Sequence, residues 1–220
     1  KSYQSDPKSA FGGIIFLNRK VNFHLAKKIF KNFFEMVVAP SFDKNAISLL
    51  NQKKSLILLK TPNIKRQIKE YKSTLFGELY QTKDLTPINK NFLSLVSKLK
   101  ASSSLTEDLI FSLKVAKHLK SNAIVLSRNK QTVGLGSGQT NRVDALNFAI
   151  KNKNLYFKNK KFVCASDGFF PFTDSIDILN KNGCRVVAQP SGSINDKKIV
   201  LFSIKNKISL YFIKNRLFKH

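Results

Sequence analysis

Apolar and polar positions along this 220-residue chain switch repeatedly between the strand and the helix period. Ile14 to Leu17 reads as a short strand. Leu25, Ala26, Ile29, Phe30 and Phe33 recur at helical spacing and predict a helix over 23–33. A strand over 35–39 ended by Pro40, a helix over 43–50 and a strand over 56–59 continue the alternation. This β-α-β-α-β order predicts an α/β sheet with covering helices. Residues 64–84 are less periodic and read as extended strands, and 87–100 reads as a polar helix with a weak apolar stripe.

Ala101 to Leu105 is serine-rich and offers the best boundary between two lobes, 1–105 and 106–220. The second lobe opens on a helix with Thr106 as N-cap. Glu107 and Asp108 fall in its first turn, and Lys114, Lys117, His118 and Lys120 crowd its end, matching the helix dipole. Strands over 123–126 and 132–135 flank Arg128-Asn129-Lys130-Gln131 as a hairpin. Helix 142–152, strand 162–164, helix 175–181, strand 186–188, helix 196–205 and strand 210–213 then alternate.

Composition changes the picture in one respect. Thirty-nine Lys and Arg against 13 Asp and Glu give a net charge of +26, which in general points to nucleic acid or an anionic membrane. Only six of the basic residues are arginine, the type favoured for bidentate reading of bases and phosphates. The lysines are scattered through every segment beside Asn, Ile and Phe, as an A/T-rich coding sequence produces, and read as solvated faces. No nucleic-acid or membrane partner is expected. The two cysteines, Cys164 and Cys184, have no metal or redox spacing and read as buried thiols in a reducing cytosol. No apolar run approaches the roughly 20 residues that span a bilayer. The start, KSYQSDPKS, has neither a signal core nor a Met, so the expectation is a segment that begins within a longer protein.

Four places in the second lobe carry polar groups beyond the needs of packing: Asn122, the glycines 134, 136 and 138 ahead of Arg142, the stretch CASDGFFPFTDSID, and Pro190-Ser191-Gly192-Ser193. Loops that leave strand carboxyl ends and open helices line the ligand crevice of α/β sheets. The glycine turn could offer N–H groups to an anion, with Arg142 adding charge, although G-x-G-x-G is not the dinucleotide fingerprint. In the aromatic stretch, Phe169, Phe170 and Phe172 around Pro171, flanked by Asp167 and Asp174, admit two readings. They form a platform for a flat, partly polar ligand, or they cap the core edge while Thr173 or Asp174 caps a helix. In the first lobe Gly12-Gly13 suits a close backbone approach or a plain turn. Lys117-His118 reads as a cationic helix end, and His24 as a surface residue. Zinc deamination is excluded on ligands, because neither H-x-E nor C-x-x-C occurs.

Taken in order, SDPKSAFGGIIFLNR, FFEMVVAPSF, KSNAIVL, VGLGSGQTNRVDA, ASDGFFPFTDSID, QPSGSINDK and NRLFKH resemble the formyltransferase domain of the AICAR transformylase/IMP cyclohydrolase family. The resemblance covers essentially the whole chain. It implies two cytidine-deaminase-like three-layer lobes without zinc, the first truncated at its N-terminus, in a cytoplasmic homodimer with active sites at the subunit interface. The implied reaction transfers a formyl group from 10-formyltetrahydrofolate to the amine of AICAR. By the same resemblance Asn122 holds the substrate carboxamide and supports catalysis. Gly12, Glu35, Arg142, the backbone of Phe169, Arg216 and Phe218 contact the substrate. Phe11, Pro171, Phe172, Asp174 and Ser193 lie on the folate side, and a monovalent cation beside Asp167 is left open.

The family's K-H-x-N-P motif, which supplies base and cation, does not occur in these residues. The 220 residues alone are therefore expected to bind weakly and turn over poorly. A catalytically silent remnant, or a subunit that completes its site with a separately encoded half, is the alternative reading.

Overall fold

The computed structural model describes residues 2–61, 68–158 and 160–219. It forms two compact units, Pro7–Thr86 on the one hand and Lys1–Asp6 with Pro87–His220 on the other.

In the unit Pro7–Thr86, strands β1 (Ile14–Phe16), β2 (Met36–Ala39) and β3 (Ile57–Lys60) pair in parallel, in that order. Helices α1 (Phe23–Phe30) and α2 (Lys44–Leu50) make the crossovers. Asn22 opens α1 by accepting the Leu25 N–H at 2.9 Å. The helix stops at Phe30, short of the expected Phe33, where the chain turns so that Phe34 can enter the core. Ile15, Val37 and Leu58 pack on the same side of the sheet as Ala26, Ile29, Ala46 and Leu50 of the two helices. The stretch expected to be extended forms a hairpin of β4 (Lys69–Thr74) and β5 (Gly77–Thr82), with Leu75 and Phe76 at its exposed tip. Residues 64–67 of that expectation lie outside the described residues, as does His220.

The other unit is built on six strands in the order β6-β11-β10-β9-β7-β8. They are β6 (Ser94–Leu95), β7 (Ile124–Arg128), β8 (Gln131–Gly136), β9 (Val163–Ser166), β10 (Val186–Pro190) and β11 (Ser209–Ile213). β9, β10 and β11 run parallel, β7 runs against β9 and β8, and β6 runs against β11. Strand residues alternate between two cores. Ile124, Leu126, Cys164, Val187 and Leu210 face α4 (Arg142–Tyr156), α5 (Asp174–Lys181) and α6 (Asp196–Lys205). Val125, Val163, Ala165, Val186, Ala188 and Tyr211 face α3 (Ser103–Ala116). The chain is therefore α/β with mixed sheets, and this unit has three layers.

Three expectations change here. Residues 87–100 form no helix but a single turn of 3-10 helix, Lys90–Phe92, followed by β6. The open edge of β11 draws the stretch into the sheet, with Val96 N–H donating to Leu210 O at 3.0 Å and Leu210 N–H to Ser97 Oγ at 2.8 Å. α3 starts one turn earlier than expected, capped by Ser102 rather than Thr106, so Asp108 is not a first-turn charge. Asp108 is buried, and its carboxylate accepts the N–H groups of Asn129 and Lys130 at 2.8 and 2.7 Å. Those two residues have φ of 51° and 53°, the left-handed pair of a two-residue hairpin turn, so helix and hairpin are locked together. Glu107 and Lys130 pair at 2.7 Å above it, a contact that lowers the carboxyl pKa and raises that of the ammonium on an exposed surface.

Third, Gly134 and Gly136 belong to β8 and do not form an anion-binding turn. A Cβ at Gly136 would run into the Ala145 carbonyl of α4, and one at Gly134 into the Ala149 carbonyl. The pair exists so that helix and strand can touch. Only Gly138 (φ +67°) serves the turn, and its N–H already donates to Lys120 O at 2.8 Å.

Two measurements check this packing. Gly136→Ala should cost at least about 2 kcal/mol in urea unfolding, because backbone on both sides must move. Cys164 and Cys184 are fully buried, and burial pushes the Cys184 thiol up to about 12 and Cys164 well above its ordinary value. Ellman's reagent at pH 8 should therefore find neither thiol until the protein is unfolded.

Candidate functional site

The carboxyl ends of β8, β9, β10 and β11 and the amino end of β7 meet at one edge of the six-stranded sheet. The glycine turn, the aromatic loop, the loop Ser191–Asn195 and the C-terminal tail all leave from this edge. Sequence order does not bring them together; the strand order does.

Asp167 anchors the aromatic loop, the tail and the helix that follows the glycine turn. It is completely buried one residue beyond β9, its N–H donating to Ala123 O at 3.1 Å and its carbonyl accepting from Leu217 N–H at 2.9 Å. Its Oδ1 receives Arg142 Nη2 at 3.1 Å, while Arg142 Nη1 donates to Phe169 O at 3.2 Å. The Arg142 side chain is only 12% exposed, so this is a desolvated ion pair whose geometry matters more than its net energy. Gly168 contributes by having no side chain, since a Cβ there would meet the Arg142 guanidinium and the Phe218 ring. Asp167 Oδ2 and Arg142 Nε are buried without a hydrogen-bond partner.

The tail brings a second arginine. Leu217 is buried, and Ser121 and Lys219 exchange two hydrogen bonds of 3.0 and 3.1 Å, so the tail is docked. Arg216 then lies over Phe169 and Phe218, 5.1 and 5.6 Å from the ring centroids, while Arg142 approaches the Phe218 ring at 5.9 Å. Asn122 follows a cis peptide bond and donates its amide to Gln139 O and Thr140 O at 3.0 and 3.2 Å.

The aromatic loop divides its rings between the two roles read from the sequence. Phe170 is fully buried in the core, its N–H donating to Gln189 Oε1 at 3.3 Å. Phe169 is half-buried under Arg216, and Phe172 is 62% exposed. Phe172, Thr173, Asn195 and Lys198 line a hollow of about 140 Å³, closed from below where Asn195 donates to Pro171 O at 2.8 Å. Ser193 Oγ accepts the Asn195 N–H at 3.2 Å. Asp174 is exposed and accepts the Ser175 N–H, whereas Thr173 makes no side-chain cap.

Phe11, Gly12 and Glu35 lie in the unit Pro7–Thr86, at the amino ends of β1 and β2. Gly12 takes φ +70° and donates to Phe33 O at 3.3 Å, beside the Glu35 carboxylate. Phe11 is exposed and tilts against Phe33 at 5.1 Å. His118 is exposed beyond the end of α3, and His24 is exposed on α1. Among the described residues no His, Cys, Asp and Glu side chains group as metal ligands, and no helix is long and apolar enough to cross a membrane.

The model of the AICARFT/IMPCHase bienzyme matches residues 1–152. The chain belongs to the AICARFT/IMPCHase bienzyme family. It is 43% identical over 222 aligned positions to the bifunctional purine biosynthesis protein PurH of Caldicellulosiruptor bescii, covering 100% of this chain and 43% of the relative. PurH of Buchnera aphidicola subsp. Baizongia pistaciae is 42% identical, with 100% of this chain and 42% of the relative covered. PurH of Fusobacterium nucleatum is 41% identical, with 100% and 43% covered. The chain thus spans less than half the length of these relatives.

Within this bienzyme segment, Asn122, Arg142, Phe169, Arg216 and Phe218 gather at one sheet edge, with Pro171, Phe172, Asp174 and Ser193 on the adjoining loops. Sequence reading noted Asp167 as a flanking carboxylate but not as the anchor, and it missed Leu217, Asn195 and Lys198. A buried Asp directly after an apolar strand was the available signal for the first.

The anchor is open to a direct check. Arg142→Gln should destabilise the chain by about 3 kcal/mol, since it strands a buried carboxylate. Adding Asp167→Asn should recover part of that loss in urea unfolding.

Proposed function

We propose that this segment carries the formyl-transfer site of the bienzyme, moving a formyl group from 10-formyltetrahydrofolate to the amine of AICAR. The observation that carries the reading is the Arg142–Asp167 pair, which holds the Phe169 carbonyl while Arg216 lies over the rings of Phe169 and Phe218. A flat, anionic ribonucleotide suits those groups. Arg216, exposed and cationic, meets its phosphate, and the Phe218 ring meets its imidazole face. Asn122 Oδ1 accepts from the carboxamide. Pro171, Phe172, Asp174 and Ser193 form the folate side, where an exposed ring beside polar partners suits a pterin or benzoyl group.

In this reading the amine nitrogen of AICAR attacks the formyl carbon, and the tetrahedral intermediate collapses as N10 of the folate leaves with a proton. The products are FAICAR and tetrahydrofolate. The amine is a poor nucleophile, so a base must take its proton and a donor must hold the oxyanion. The Lys-His pair to which the resemblance assigns those tasks is not among these residues, since K-H-x-N-P does not occur. Under this reading the base comes from outside this sheet edge, with a second copy in a cytoplasmic homodimer as one source, and Phe11, Gly12 and Glu35 contact the ligands in the copy that presents them. The lobes are proposed to be cytidine-deaminase-like. The unpartnered Asp167 Oδ2 fits a monovalent cation, which would add positive charge beneath the aromatic rings.

Formyl transfer, followed as tetrahydrofolate appears, tests this with the protein expressed from its natural reading frame. Arg216→Ala should raise KM for AICAR by about tenfold with little change in kcat, the signature of lost ground-state binding. Asn122→Ala should lower kcat by about 100-fold. Wild-type kinetics in both variants would overturn the reading.

A further inference from the structure

The hollow of about 140 Å³ lined by Phe172, Thr173, Asn195 and Lys198 contains a cation that the proposed reaction has not used. Thr173 and Asn195 open α5 and α6, and neither side chain caps its own helix. The hollow thus sits where two helices begin. Phe172 walls it with a ring that is 62% exposed, and the fully exposed Ile194 directly precedes Asn195. Lys198 stands in the first turn of α6, with its side chain exposed.

The carboxylates in the first turns of the two helices are engaged elsewhere. Asp174 accepts the Ser175 N–H at 2.6 Å, and Asp177 pairs with Lys181 at 2.6 Å. Asp196 Oδ2 accepts the Gly192 N–H at 2.8 Å, and side chains two residues apart on a helix, such as Asp196 and Lys198, do not face each other. Among the described residues Lys198 has no ion-pair partner. An ammonium on a flexible stem, next to an exposed ring and a hydroxyl that caps nothing, suits a carboxylate carried on an aryl group.

We infer that Lys198 recognises the glutamate carboxylate of the formyl donor, with the benzoyl ring lying against Phe172. Resting on the reading of Pro171, Phe172, Asp174 and Ser193 as the folate side, this adds the residue that meets the acidic end of the co-substrate. The pterin and benzoyl parts of a folate carry no formal charge, so only its glutamate answers a lysine. Size agrees, because whole drug-sized ligands fill roughly 300–1,000 Å³ and this hollow takes one part of such a molecule. The net charge of +26 also draws an acid, but it chooses no place for it. The test must separate the two.

Binding of fragments, rather than turnover, is the readout. 4-Aminobenzoyl-L-glutamate and 4-aminobenzamide, which keeps the ring and amide without the acid, are each titrated into the protein expressed from its natural reading frame. Ligand-observed NMR follows both. The glutamate should tighten binding about fivefold or more, as a charge-assisted contact does. Lys198→Gln should abolish that difference and leave 4-aminobenzamide as it was. Phe172→Ala should weaken both fragments. Lys205→Gln removes the same charge from the far end of α6 and should change neither. Both lysines are exposed, so circular dichroism should match wild type throughout. Failure of the acid to bind, no preference for it over the amide, or an equal loss in Lys205→Gln overturns the inference. Formyl transfer by the same wild-type protein separates this from the reaction itself. Transfer without a Lys198-dependent preference sinks the role of Lys198 alone. A Lys198-dependent preference without transfer sinks the reaction and keeps the hollow as a site for an aryl-linked acid.

Discussion

A single desolvated ion pair organises the sheet edge. Arg142 opens α4 and Asp167 directly follows β9, so their contact joins two elements that the sheet alone would leave independent. Through backbone bonds the same aspartate holds the start of β7 and the C-terminal tail. Through the guanidinium it holds the aromatic loop. An isolated buried charge would be costly, and a pair of them contributes little net stability. What the pair supplies is position: the start of β7, the start of α4, the aromatic loop and the tail are referred to one point that water cannot soften.

Preorganisation of this kind is what a transfer reaction between two bound molecules requires. In the proposed formyl transfer neither the amine nor the formyl donor is reactive enough to tolerate a loose encounter, and orienting them would substitute for concentration. The rings of Phe169 and Phe218 share one guanidinium, and that arrangement leaves Arg216 cationic and exposed, free to answer an anion. The loop beyond Phe170 is more open. Phe172 stands out from the loop just beyond the point where Asn195 donates to Pro171 O.

The two units differ in how completely they bury their sheets. The six-stranded sheet has a core on each face, and two glycines permit the close approach of α4 to β8. The three-stranded sheet has one core, and its other face leaves Ile14, Phe16, Ile57 and Leu59 of the outer strands exposed.

Much of this was legible in the residues. Hydrophobic period placed nearly every helix and strand from Ile14 to Lys60 and from Ile124 to Ile213, because those segments bury one stripe or alternate between two cores. Asn129-Lys130 was legible as a hairpin turn, and the loops that meet at the sheet edge were legible as more polar than packing needs. Three features were decided only by tertiary contacts. Residues 87–100 gave up a weak helical stripe to an edge strand whose hydrogen bonds were waiting in β11. Gly134 and Gly136 look like a phosphate turn until α4 is seen lying on them. Asp108 and Asp167 were ordinary carboxylates until burial made one a clamp for the hairpin and the other the anchor of the site. Local pattern reports which side chains leave water; it is silent on which distant backbone groups they will meet there, and those meetings are what the fold alone assigns.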